Sequence, residues 1–257
     1  MMSGTLATLC GNSRRAIRYG TYDTGAAGER SGTGMREALL HARGAAIISE
    51  IKFASPSLGT IRTAQDPGEV ATQMVEGGAA AISVLTQPYL FGGSPTYLAR
   101  VREAVRVPIL MKDIVVDVAQ IEAARRLGAD CILLIQAVFD AGYAHDMDGM
   151  IDMAHGYGMQ VLAEVHDTSE LESALATECD IIGVNNRNLD TLEISLETTR
   201  HVLAGYADRR PAISESGIES PRDITYLRGC GASAFLVGTG IMKHGNVKGG
   251  VRRLVGS

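Results

Sequence analysis

Eight short apolar runs recur along the chain, and each closes on polar residues. They are AAIISEIK (45–52), AAISVLT (80–86), VPILMKD (107–113), DCILLIQ (130–136), MQVLAEV (159–165), DIIGVNN (180–186), PAISESG (211–217) and SAFLVGTG (233–240). The runs are continuous rather than alternating and rich in Ile, Val and Leu, as strands covered on both faces of a parallel sheet must be. Segments with helical spacing separate them. In VAQIEAARRLGAD, Val118, Ile121, Ala124 and Leu127 share one face and Gly128 stops the helix. In SPRDITYLRGCGAS, Ser220 is placed to cap, Pro221 to take the first turn and Gly229 to end the helix. Strand spacings of about 20 to 35 residues leave room for a crossover each time.

Eight strands alternating with helices is the count that closes a barrel. The expected fold is therefore α/β, a (β/α)8 TIM barrel. An open doubly wound sheet carries its glycine fingerprint after the first strand, where this chain reads EIKFASPS. The 257 residues fit a single barrel domain, with residues 1–44 as an amino-terminal extension that holds a helical segment, MREALLHAR (35–43).

Composition narrows the chemistry. A hydrophobic fraction of 46% with 21% charged residues excludes a disordered chain. With 24 basic against 29 acidic residues and no Lys/Arg tract, nucleic acid is excluded as a partner. The uncharged stretch from Gly77 to Ala99 is broken by glycines and prolines, so no membrane span is expected. The start, MMSGTLATLCGNSRR, has no apolar core behind a basic region, and the cytoplasm is the expected compartment. Cys10, Cys131, Cys179 and Cys230 lack CxxC spacing and read as reduced thiols. His41, His145, His155, His166, His201 and His244 show no ligand spacing, so no metal is expected.

In a barrel of this kind the chemistry lies at the carboxyl ends of the strands. The polar residues there are Glu50 and Lys52, Lys112 and Asp113, Glu164, then Asn185, Asn186 and Arg187, then Glu215 and Ser216, and finally Gly238, Thr239 and Gly240. A lone charge at a strand end is as often a solvated residue or a structural ion pair. Glu50, Lys52, Lys112 and Glu164 together resist that reading, because each interrupts an apolar run where an unneeded charge costs stability. Asp113 and Glu215 alternate with Lys112 and Ser216, and are expected to face away and serve structure. The loops ESG (215–217) and VGTG (237–240) let backbone N–H groups approach an anion, so a phosphate on the substrate is expected, with Arg187 nearby. Phe91, Ile114, Leu133 and Leu189 are either ordinary packing or the wall of an aromatic group.

The runs SEIKFASPSLGTIR (49–62), LTQPYLFGGSPTYL (85–98), PILMKDIVV (108–116), LAEVHD (162–167), IIGVNNRNLDTLEI (181–194), ISESGI (213–218) and AFLVGTGIM (234–242) resemble indole-3-glycerol phosphate synthases over residues 45 to 243. The resemblance implies conversion of 1-(2-carboxyphenylamino)-1-deoxyribulose 5-phosphate to indole-3-glycerol phosphate, carbon dioxide and water, without a cofactor. It assigns Lys112 as the acid for ring closure and Lys52 as the partner of the substrate carboxylate and a proton donor in dehydration. Glu164 and Glu50 become acid/base partners; Asn185 and Ser216 orient the ribulose hydroxyls. Ser55, Arg187, Gly217, Gly238 and Thr239 would hold phosphate, and Phe91, Leu133 and Leu189 the anthranilate ring. The chain departs from the family at Gln87, usually acidic, and Ile114, usually Phe. These changes are expected to alter the hydrogen bonding around Lys112 and to remove an aromatic wall. A phosphoribosylanthranilate isomerase would need one acid and one base rather than two lysines, and a barrel that only binds a phosphosugar is the remaining reading. The expected partner is a small phosphorylated molecule, and the expected state is a monomer or weak homo-oligomer.

Overall fold

The computed structural model describes residues 4–25, 29–55, 59–60, 65–189, 191–243 and 245–257. Eight parallel strands close into a barrel: β1 Ala46–Ile51, β2 Ala81–Leu85, β3 Ile109–Lys112, β4 Cys131–Ile135, β5 Gln160–Val165, β6 Ile181–Asn185, β7 Ala212–Glu215 and β8 Ala234–Val237. Each pairs with its neighbour in chain order, and β8 closes on β1 with Ala46 opposite Ala234. All eight lie within the expected runs, trimmed at the ends. Their residues are almost wholly buried, because the barrel interior covers one face and the helices cover the other. A short antiparallel pair, Ala54–Ser55 with Gly59–Thr60, follows β1 and was not expected.

Several of the helices begin where an Asp stands ready to take their free N–H groups. Asp66 accepts from Gly68 at 2.7 Å to start helix Pro67–Glu76. Asp117 accepts from Ala119 at 2.9 Å to start Val118–Leu127, and Asp167 accepts from Ser169 at 2.8 Å to start Thr168–Leu175. Gly128 ends its helix at φ 82°, as expected. Ile121, Ala124 and Leu127 bury the face expected of them, but Val118 in the first turn stays 43% exposed. Helix Pro221–Gly229 ends at Gly229. At its start the cap works through Asp223, whose carboxylate accepts from the Ser220 N–H at 2.8 Å.

Residues ahead of β1 pack on the barrel. The expected helix at 35–43 runs Met35–Leu40. An unexpected one, Thr5–Arg18, buries Leu9, Cys10, Ser13 and Ala16, spaced to share one face. Tyr22 donates from its hydroxyl to Asp113 Oδ2 at 2.7 Å. Ser31 reaches the opposite end of the barrel, where its N–H and hydroxyl donate to Asp130 Oδ1. The other oxygen of Asp130 accepts from the fully buried Arg102 at 2.9 Å and from the Ile109 N–H at 2.8 Å. No helix among the described residues is long and apolar enough to cross a membrane.

Candidate active site

A cavity of about 440 Å3 opens at the carboxyl ends of the strands. Interior layers of such a barrel draw their side chains from alternate strands. Here β1, β3, β5 and β7 supply Glu50, Lys112, Glu164 and Glu215, and three of the four are at most 3% exposed. Lys112 Nζ donates to Glu164 Oε2 at 2.7 Å and lies 3.2 Å from Glu215 Oε2. Asn185 Nδ2 donates to the other Glu164 oxygen at 3.1 Å, and the Asn185 carbonyl accepts from the Arg187 N–H at 3.0 Å. Beyond the end of β1, Lys52 Nζ pairs with Glu50 Oε1 at 2.6 Å. Lys52 thus has one carboxylate partner and Lys112 two.

Burial alone would discourage charge on Lys112, but Glu164, Glu215 and Glu50 surround it, and the net effect raises its pKa. Burial pushes Glu164 up as well. The Lys112 and His166 charges outweigh that and hold it below the ordinary carboxylate range. Glu215 goes the other way: burial and the neighbouring Glu164 and Glu50 raise it despite Lys112. Two carboxyls share one ammonium, and their proton affinities are pushed apart, which is how a single site holds both an acid and a base.

Glu215 corrects the expectation that it faces away. Its side chain fills the barrel interior above Gly183, where a Cβ would meet Glu215 Oε1 at 2.2 Å. Strict alternation from Ser216 misplaced it, because Ser216 adopts φ 68° and breaks the strand's parity. The alternate-strand layer was the signal that could have found it. Asp113 also lines the cavity, against the expectation that it faces away, but its carboxylate is committed to structure: Tyr22, Thr86, Gln120 and the Ile114 N–H all donate to it. Asn186 is likewise committed to Ser214, Thr199 and the Ser216 carbonyl.

The remaining candidates line the same cavity. Ser216, Gly217, Gly238, Thr239 and Gly240 form one rim. At Gly217 φ is 80° and a Cβ would sit 2.5 Å from Ile194; at Gly238 it would meet Glu50 Oε1 at 2.6 Å. The positive φ makes glycine the fitting residue at Gly217, and at Gly238 a side chain would crowd Glu50. Arg187 faces the cavity, half-buried, with Nη1 donating to the Leu192 carbonyl at 3.0 Å. Phe91, Leu133, Leu189 and Ile114 form apolar walls, joined by Leu9 from the amino-terminal helix, which the sequence reading missed. Lys243 is a further unforeseen cation at the rim. Gln87 lines the cavity, but its carbonyl accepts from the Tyr89 and Leu90 N–H groups and shapes the loop after β2. No hydrogen bond among the described residues joins it to Lys112. The Ser55 side chain and His244 lie outside the described residues.

Comparisons with known proteins agree on one family. The family model described as indole-3-glycerol phosphate synthase matches residues 14–254. A protein of that name from Aromatoleum aromaticum is 43% identical over 230 residues, covering 90% of this chain and 87% of its own. Namesakes from an Azoarcus species and from Burkholderia lata are 46% and 45% identical, covering 82% and 79% of this chain and 80% and 77% of their own. Among solved structures, a thiamine phosphate pyrophosphorylase from Pyrococcus furiosus superposes with a TM-score of 0.59 at 16% identity, covering 84% of this chain and 95% of that one, and shares the fold alone. A closed eight-stranded barrel carrying two lysine–glutamate couples at its mouth, matched over nearly its whole length, belongs to the indole-3-glycerol phosphate synthase family.

Proposed function

We propose that this protein converts 1-(2-carboxyphenylamino)-1-deoxyribulose 5-phosphate to indole-3-glycerol phosphate, carbon dioxide and water. The observation that carries this reading is Lys112, a buried ammonium shared between Glu164 and Glu215 at the floor of an apolar cavity, with Lys52 as a second cation on its wall. Ring closure joins the carboxylate-bearing carbon of the anthranilate ring to the ketone carbon. Lys112 gives its proton to the ketone oxygen, which becomes a hydroxyl. Lys52 holds the substrate carboxylate until the bond to it breaks and carbon dioxide leaves. Loss of the hydroxyl as water then needs a proton donor, Lys52, and a base for the adjacent carbon, a role for Glu164 with Glu50 and Glu215 as partners. Asn185 and Ser216 orient the ribulose hydroxyls. Gly217, Gly238 and Thr239, with Arg187 and Ser55, take the phosphate; Phe91, Leu133 and Leu189 pack on the aromatic ring. The chain acts in the cytoplasm as a single barrel domain, a monomer or weak homo-oligomer, with residues 1–44 as its extension.

Incubation with the substrate, followed by indole fluorescence, tests the reading against a low background, since the chain has no tryptophan. Turnover is expected in the native protein and lost by about 10²-fold or more in Lys112→Ala, on the scale of removing a positioned acid. Product binding should survive. A folded native protein that binds substrate without turning it over would sink the proposal.

A further inference from the structure

His166 stands one residue beyond β5, between two carboxylates. Its Nδ1 lies 3.0 Å from Glu170 Oε2, and its own backbone N–H donates to that same oxygen at 2.8 Å. The second ring nitrogen, Nε2, is buried and points at Glu164 Oε1 from 3.5 Å without making a hydrogen bond. Glu164 is therefore bracketed: Lys112 holds one oxygen, and Asn185 and the imidazole face the other. No step of the reaction described above uses His166. An ammonium clasped by two carboxylates is a poor acid until the field holding its proton is weakened. A cationic imidazole on the far oxygen of Glu164 weakens it.

We propose that His166 is a positioning residue, held by Glu170, whose positive charge moderates Glu164 and lets Lys112 release its proton in ring closure. This rests on the reading of Lys112 as the acid. The groups that face the ring are Glu170 from the following helix, Glu164 on its own strand, Glu215 from β7 and, through Glu164, Lys112 from β3; Asn185 from β6 is neutral. Burial disfavours the imidazolium, but these carboxylates outweigh it and raise the pKa of His166 above its ordinary value. The imidazolium therefore persists to higher pH than on a free histidine and is lost as pH rises through that raised pKa.

Two measurements test the proposal together. In the first, kcat and KM are followed against pH. The native protein should lose kcat as pH rises through the His166 titration. Glu170→Gln should move that limb to lower pH, and His166→Asn should abolish it and leave kcat about tenfold lower, one pKa unit's worth of interaction. KM should hold within about twofold, a ratio well inside one tenfold step of 1.4 kcal/mol. In the second, the His166 ring is titrated by NMR, a readout independent of turnover. Its pKa should fall in Glu164→Gln and in Glu170→Gln. Superimposable pH profiles in all variants, an effect confined to KM, or a His166 titration indifferent to Glu164→Gln would each overturn it. If His166→Asn does not fold, the Glu170→Gln profile and the ring titration decide. Absence of turnover in the native protein would count against the lyase reading alone, and the ring titration would still test the coupling.

Discussion

Gly183 carries no side chain because Glu215 occupies the space where one would stand. Gly183→Ala would put a methyl 2.2 Å from Glu215 Oε1 and 2.6 Å from Leu162 Cδ2, and so displace that carboxylate from its place beside Lys112. The expected result is a loss of kcat with overpacking of about 1–3 kcal/mol, read from turnover beside chemical denaturation; an unchanged kcat would deny Glu215 a part in the chemistry. Asp113 offers a second test. Burial without a cation beside it pushes its carboxyl up to about 6, against about 3.9 in an unfolded chain. Between those values the folded protein holds a proton that the unfolded chain has lost, so this group makes stability fall as pH rises, by about 3 kcal/mol over the interval. Asp113→Asn stays neutral and should gain on the native protein from pH 4 to 6.5 and then level off. Parallel melting curves across that range would contradict it.

The eight strands were legible because burial on both faces leaves a long apolar run that nothing else in a chain this polar imitates. The charges inside those runs were equally plain, and Glu50, Lys52, Lys112 and Glu164 all arrived at one cavity. The helix Thr5–Arg18 was not legible: Gly11 interrupts it and Ser13 sits on its buried face, so its apolar stripe is incomplete. Parity failed at Ser216 for a reason no pattern carries, a positive φ at a residue other than glycine. Between elements, Asp130 ties the extension, Arg102 and the start of β3 into one knot. Asp130→Ala would leave the Arg102 guanidinium buried with no carboxylate, at a cost of about 3–5 kcal/mol. Urea denaturation should show this, and a midpoint within error of the native one would refute the role.

For the molecule as a whole, the extension matters to the site as well as to stability. Leu9 reaches from the first helix into the lining of the cavity. Leu9→Ala should raise KM several-fold while kcat holds, beside a stability loss of about 2–5 kcal/mol for a buried leucine; steady-state kinetics separate the two. A fall in kcat with KM intact would show that the extension governs the chemistry and not the fit.

The alternate-strand layer has one more consequence. Glu50, Lys52 and Lys112 come from the first half of the chain, and Glu164, Glu215 and both glycine loops from the second. Neither half alone can set Lys112 between Glu164 and Glu215. Catalysis here is a property of closure: as the chain refolds, helical content can return piecemeal, but turnover returns only when the last strand meets the first.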